Sequence, residues 1–308
     1  GNQFLSEQAK AYRKHLERHL KKPDKPSLAP RLSIDSTSHV QRGQKMEGLA
    51  YNYKQEWCLD TQVIFDELGF CWDFELRAGN TKSGVGASEQ VSRAFSSYKF
   101  TDEKYLSGDS AYCHQEMIKT CLALGVKFTF TANQATTFWE DQIATINNWQ
   151  PWVYTEAEKR FAADHGAELP EIEVGRMHWR PGWNEALMFP VVVKRTKQEQ
   201  ADLFHGVWKY YGVVTNFDLT KQSYQSVIEF HNKRGNAENF IREEKYGYDL
   251  KHFPCLKLKA NHAFGFIAMV AHNLLRWASI HENPSRPKFS KKFRRQSINI
   301  PGKMVSHG

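Results

Sequence analysis

A single glycine, Gly69, separates two apolar, strand-like runs, WCLDTQVIFDEL (57–68) and FCWDFELRA (70–78). One residue between two such runs predicts a tight antiparallel turn, because glycine enters turn conformations that other residues resist. A chain that builds a hairpin from such apolar runs is committed to a sheet. RLSIDST predicts a further strand, ending at Asp35, and KYLSGDSAY (104–112) a short strand stopping at Asp109. VKFTFTAN (126–133) follows as another. Helices are predicted over residues 89–99, with Ser88 as cap, and over His114 to Leu124, closed by Gly125. The order β, β–β, α, β, α, β predicts an α/β fold, a mixed sheet with helices packed on it.

The segments on either side of residues 31–133 differ from them. Residues 4–22 have helical spacing and end at the linker PDKPSLAP (23–30). They show no apolar core behind a basic start, so no secretory signal is expected, and residues 1–30 carry no helix-turn-helix pattern. Residues 134–219 hold six of the nine tryptophans and two strand-like runs, 187–195 and 207–218, predicting a β-rich block. A helix or helix pair follows from Gln222 to about Tyr246, and an apolar helix covers 262–279. The apolar stretch Ala263 to Ala278 contains His272, Asn273 and Arg276, so it reads as a core helix rather than a membrane span. Five cysteines without a CxxC pair point to a reducing compartment and away from a cysteine–zinc site.

The net charge of +8 gathers near the ends. Lys10 to Lys25 holds seven basic and two acidic residues, and Pro284 to Ser297 six basic and no acidic ones. This is the footprint of a polyanion partner or of two solvated termini. RPKFSKKFRR (286–295) suits salt-sensitive contact with a nucleic-acid backbone, or a basic tail.

Asp35 and Asp109 each follow a short apolar run and precede small hydroxylated residues. Aspartate is common where strands turn. Two carboxylates at neighbouring strand ends would instead repel unless a hard divalent cation such as Mg²⁺ or Mn²⁺ joined them. In HNKRGNAENFIREEK (231–245), Arg234, Glu238 and Lys245 are four and seven residues apart. On a helix they lie within about 40° of one another, one carboxylate flanked by two cations. A surface salt-bridge stripe has the same spacing. Gly235 weakens a continuous helix, so a helix starting at Asn236 would leave Arg234 on the entry turn.

The stretches IDSTSHVQRGQKMEGLAYNYK (34–54), ELRAGNTKSGVGA (75–87) and YLSGDSAY (105–112) resemble the DDE transposases of bacterial insertion sequences. The resemblance is to the group-1 DDE domain, distant kin of piggyBac, over residues 31–280. The family's third motif, Tyr-x2-Arg-x3-Glu-x6-Lys, is matched by Arg234, Glu238 and Lys245 and departs at its first position, His231. Ser107-Gly108 stands where the family has Arg-Ala before its second aspartate.

The resemblance implies an RNase H-like mixed sheet flanked by helices, with a β-rich insertion domain before the last catalytic helix. The corresponding divisions are an N-terminal helix and linker (1–30), a first core part (31–133), the insertion (134–219), C-terminal core helices (220–280) and a basic tail (281–308). It implies a catalytic triad of Asp35, Asp109 and Glu238 holding two Mg²⁺, with Mn²⁺ as substitute, for cleavage and strand transfer by in-line attack at phosphorus. Arg234, Lys245 and His231 would contact DNA. Trp179, Trp183 and Arg180 in MHWRPGWNE would meet distorted DNA, although these tryptophans also suit the core of a small β domain. Double-stranded DNA, as terminal inverted repeats and target, is the implied partner, bound by a homodimer in a bacterial cytoplasm at the nucleoid, with no membrane role. A structure-selective nuclease and an inactive DNA-binding derivative are the alternatives.

Overall fold

A computed structural model describes residues 2–27, 29–43, 45–96, 103–133, 139–202, 206–299 and 302. The chain divides into two compact units, 1–104 with 235–308, and 105–234.

The first unit begins with α1 (Gln3–His19), followed by strands β1 (Arg31–Val40), β2 (Ala50–Tyr51), β3 (Trp57–Asp66) and β4 (Cys71–Ala78) and helix α2 (Ala87–Ser96). β3 is the organising strand. β1 runs antiparallel along one side of it from Leu32↔Asp66 to Val40↔Cys58. β4 and the short β2 share its other side. The hairpin forms as predicted, with Gly69 at φ +89° in its turn. Asp66 Oδ1 accepts the Leu68 and Phe70 amides there, at 3.0 and 2.9 Å. A side chain at Gly69 would run into the ring of Phe240.

The second unit contains β5 (Lys104–Gly108), a 3-10 turn (Ser110–Tyr112), α3 (Gln115–Ala123), β6 (Val126–Thr131), α4 (Trp139–Ile143), β7 (Gln150–Pro151), α5 (Glu156–Asp164), β8 (Ile172–Trp179), β9 (Phe189–Asp202), β10 (Gly206–Thr215) and α6 (Tyr224–Asn232). Its strands lie in the order β5-β6-β10-β9-β8-β7. β5 and β6 are joined through α3, the crossover that parallel neighbours require. From β6 outward the pairing is antiparallel. Val174, Val192, Val213, Phe217, Val227 and Ile228 form a core between this β-rich block and α6.

A 3-10 turn (Lys233–Gly235) leads to α7 (Asn236–Gly247), α8 (Leu258–Glu282) and α9 (Ser290–Phe293), the last running into a π-helical turn to Ile298. α7 and α8 return to the first unit, where Phe240, Ile241 and Met269 pack on Leu59, Val63, Phe65, Phe74 and Leu76. By length and composition α8 could cross a membrane. Its polar residues are engaged with the β3–β4 hairpin: Asn273 bridges Cys71 N and O at 2.7 and 2.9 Å, and Arg276 Nε donates to Leu68 O at 2.6 Å.

Two local expectations change and a third is made finer. β1 runs five residues past Asp35, because the ten-residue β3 supplies ladder partners as far as Val40. Asp35 is therefore mid-strand. α2 begins at Ala87, so Ser88 lies inside the helix rather than capping it, and residues 97–99 of that expectation lie outside the described residues. The MHW segment, predicted only as part of a β-rich block, is the end of β8, with Trp179 opposite Phe189.

Candidate active site

The helix carrying the Arg–Glu–Lys spacing is interrupted by the 3-10 turn Lys233–Gly235. α7 starts at Asn236, Arg234 stays on the entry turn, and Glu238 falls in the first turn of α7. The helix dipole favours a carboxylate there. Ile241 turns inward to the core, and the next exposed positions on α7 face β1. Asp35, Ser36 and Thr37 of β1 and Glu238, Arg242, Lys245 and Tyr246 of α7 line one cleft of about 380 Å³. Asp35 is half-buried and Glu238 exposed.

Lys245 ties the two walls together. Its Nζ donates to Thr37 Oγ1 at 2.6 Å and to Ser38 O at 2.8 Å. Two of its three donors are thus committed to β1. Burial lowers its pKa, opposed by the carboxylates of Glu244, Glu56 and Asp60. Beneath it lies a fully buried polar group. Thr61 Oγ1 donates to Glu244 Oε1 at 3.1 Å and stands 2.7 Å from His39 Nε2. Burial pushes Glu244 up to about 8, against the Thr61 hydrogen bond, and pulls His39 down to about 3, helped by the charge of Lys245. Both side chains are accordingly neutral near pH 7. Asp60, paired with Arg77, is raised by burial to about 6.

The cleft presents two carboxylates and the hydroxyls of Ser36, Thr37 and Tyr246, hard oxygen donors that suit Mg²⁺ or Mn²⁺ better than zinc. Among the described residues no group of three or more His, Cys, Asp or Glu is placed to hold a metal. Asp109 is in the second unit. There it caps the 3-10 turn, its Oδ1 accepting the Ala111 amide at 2.9 Å, while the neighbouring Ser107 hydroxyl pairs with Thr129 at 2.8 Å.

Residues 7–298 match the family model described as transposase DDE domain group 1. The chain belongs to that family. Membership carries a transposase-type, DNA-processing activity. A search of curated proteins finds no match.

The remaining family-implied positions have varied surroundings. His231, at the departed tyrosine position, is fully buried, with Nε2 3.1 Å from Thr131 Oγ1. Burial and the charge of Arg234 lower it to about 3. Trp179 is 4% exposed, its ring against Phe189, as a core residue would be. Trp183 is half-buried beneath the Lys119 ammonium, 5.2 Å from the ring centroid. Arg180 is exposed and donates to Glu185 O at 3.3 Å. Arg242 and Tyr246 escaped sequence reasoning, although they stand four and eight residues after Glu238, a spacing that repeats on one helix face. Glu244, Thr61 and His39 gave no such signal.

Proposed function

We propose that this protein is a DDE transposase that cleaves DNA and joins strands by in-line attack at phosphorus. Asp35, Asp109 and Glu238 are its catalytic carboxylates. The observation that carries the reading is one cleft in which Asp35 of β1 meets Glu238 and Lys245 of α7, in a chain matched to the DDE family over most of its length. Asp109 enters on its family motif.

The carboxylates would hold two Mg²⁺, which supply an activated water or 3′-hydroxyl and stabilise the leaving oxygen. Lys245, fixed to Thr37 and Ser38, keeps β1 and α7 in register and offers its third donor to a phosphate oxygen. Arg242 and Arg234 add cations for the DNA backbone. The β-rich block 134–219 is the insertion domain on this reading. Terminal inverted repeats and target DNA are the substrates, held by a homodimer on paired ends in a bacterial cytoplasm.

A labelled duplex carrying the source element's terminal repeat tests the proposal. Mn²⁺-dependent products with 3′-hydroxyl ends, lost in Glu238→Gln by about 10³-fold or more, are expected. Near-normal cleavage by Asp35→Ala, Asp109→Ala or Glu238→Gln removes that residue from the triad. Cleavage without joining of pre-cut ends means a nuclease on the same core. The departures at His231 and Ser107-Gly108 favour a second reading, a DNA-binding derivative without chemistry. Binding indifferent to EDTA, with no product in either metal, would establish it.

A further inference from the structure

The C-terminal basic run is docked on the catalytic helix. The Ser290 amide donates to the Glu243 carboxylate on the side of α7 away from the β1 cleft. Arg294 Nη2 donates to Gly247 O at 2.7 Å, covering a carbonyl at the C-terminus of α7. Ser279 of α8 accepts the Lys288 amide at 2.6 Å and donates to its carbonyl at 2.9 Å. Phe293 and Ser290 are buried, while Lys291, Lys292 and Arg295 are exposed. Between α7 and this segment lies a second cavity, of about 220 Å³, whose walls include Arg242, Tyr246, Phe289 and Lys291. Arg242 and Tyr246 line both cavities, so they form the ridge that divides them.

We propose that the ridge and the docked segment are a phosphate-binding surface for DNA flanking the cleft, built from Arg242, Lys291, Lys292 and Arg295. Charge complementarity selects the partner. Residues 284–297 contain no acidic side chain, and the nearest one before them, Glu282, is engaged by Lys288 at 2.6 Å. The exposed rings of Tyr246 and Phe289 beside these cations suit the sugar face of a nucleic-acid strand, and the surface is continuous with the cleft. The hydrogen bonds to α7 and α8 fix these cations to the helix bearing Glu238, so the surface needs little ordering when DNA binds. The inference rests on the transposase reading for its position beside the reacting phosphate, but binding is measured without cleavage.

The test is fluorescence anisotropy of a 30-bp duplex with the full chain in EDTA, across a salt series. The plot of log K against log salt loses about 0.9 of slope for each phosphate contact removed. Changing Lys291, Lys292 and Arg295 together to alanine should lower the slope by about 2 to 3 and weaken binding at least tenfold at physiological salt. The double variant Lys291→Arg with Lys292→Arg, which keeps Arg295, should bind like the parent. Slope and affinity unchanged in the alanine variant would overturn the proposal. Should that variant melt early, the triple glutamine variant is read in its place, with the same two outcomes. Glu238→Gln should bind with the parent's slope. Lost cleavage with the parent's slope tests the triad alone, and a lost slope with cleavage of saturating DNA tests this surface alone.

Discussion

Arg13 and Arg195 show how differently the two units use the same cation. In the first unit Arg13 is 1% exposed, and it bridges Asp66 and Glu67 at 2.9 Å each. Asp66 also takes the Trp72 indole N–H at 3.0 Å and anchors the turn around Gly69. In the second unit Arg195 pairs with Glu173 near the surface, its guanidinium 4.1 and 4.3 Å from the ring centroids of Trp149 and Trp208. Buried charge is expensive alone and costly to lose once paired, whereas an exposed pair is screened by water. The first unit therefore contains polar groups whose removal unbalances the core beneath α7. The second presents stacked cations and aromatics whose removal leaves mainly a change of surface.

Three measurements bear on that contrast. The largest effect is expected from Arg13→Ala, which leaves Asp66 buried without its cation. Urea denaturation should show a loss of about 3–5 kcal/mol. A loss below about 1 kcal/mol would mean that the α1 ion pair is not what steadies the hairpin.

The next is a pH dependence. The folded chain holds the Glu244 proton to about 8 against an ordinary value of 4.5, so the stability this group contributes is complete below 4.5 and lost as pH rises through 8. His39, lowered from 6.5 to about 3, acts in the opposite sense, contributing fully above 6.5 and losing that stability as pH falls through 3. Between pH 6.5 and 8 the Glu244 slope is left unopposed by His39. Denaturation midpoints of the parent should fall across that interval, and those of Glu244→Gln should change less. Equal slopes in both proteins would show that Glu244 is already ionised in the fold.

The smallest effect belongs to the second unit. Arg195→Ala should cost about 1 kcal/mol, the scale of a partly exposed cation–π and ion-pair contact. A cost near that of Arg13→Ala would erase the distinction between the units.

Much of this fold is legible where local chemistry is decisive. The hairpin about Gly69 follows from a positive-φ residue between two apolar runs. The break at Gly235 leaves Arg234 on a turn and puts Glu238 at a helix start, as the glycine predicts. α3, capped by His114 and followed by Gly125 at φ +64°, is equally local. The Arg234, Glu238 and Lys245 spacing is readable in one line of sequence, because a helix face is a matter of period.

Other features depend on partners far along the chain. Asp35 looks like a strand end, yet ladder bonds to β3 carry the strand on to Val40. Position 231 reads as a polar residue near a helix end, but packing against Thr131 closes it from water. Glu244 is one of two adjacent glutamates in REEK, and only the approach of β1 and β3 gives it a buried hydroxyl partner and a raised pKa. The basic run at 286–295 reads as a free tail until Glu243 and Gly247 of α7 take up its backbone and Arg294. Backbone preference and helical period act over a few residues, so the sequence alone determines them. Burial, desolvation and the pairing of a charge arise when distant segments exclude water together, so the tertiary structure decides those.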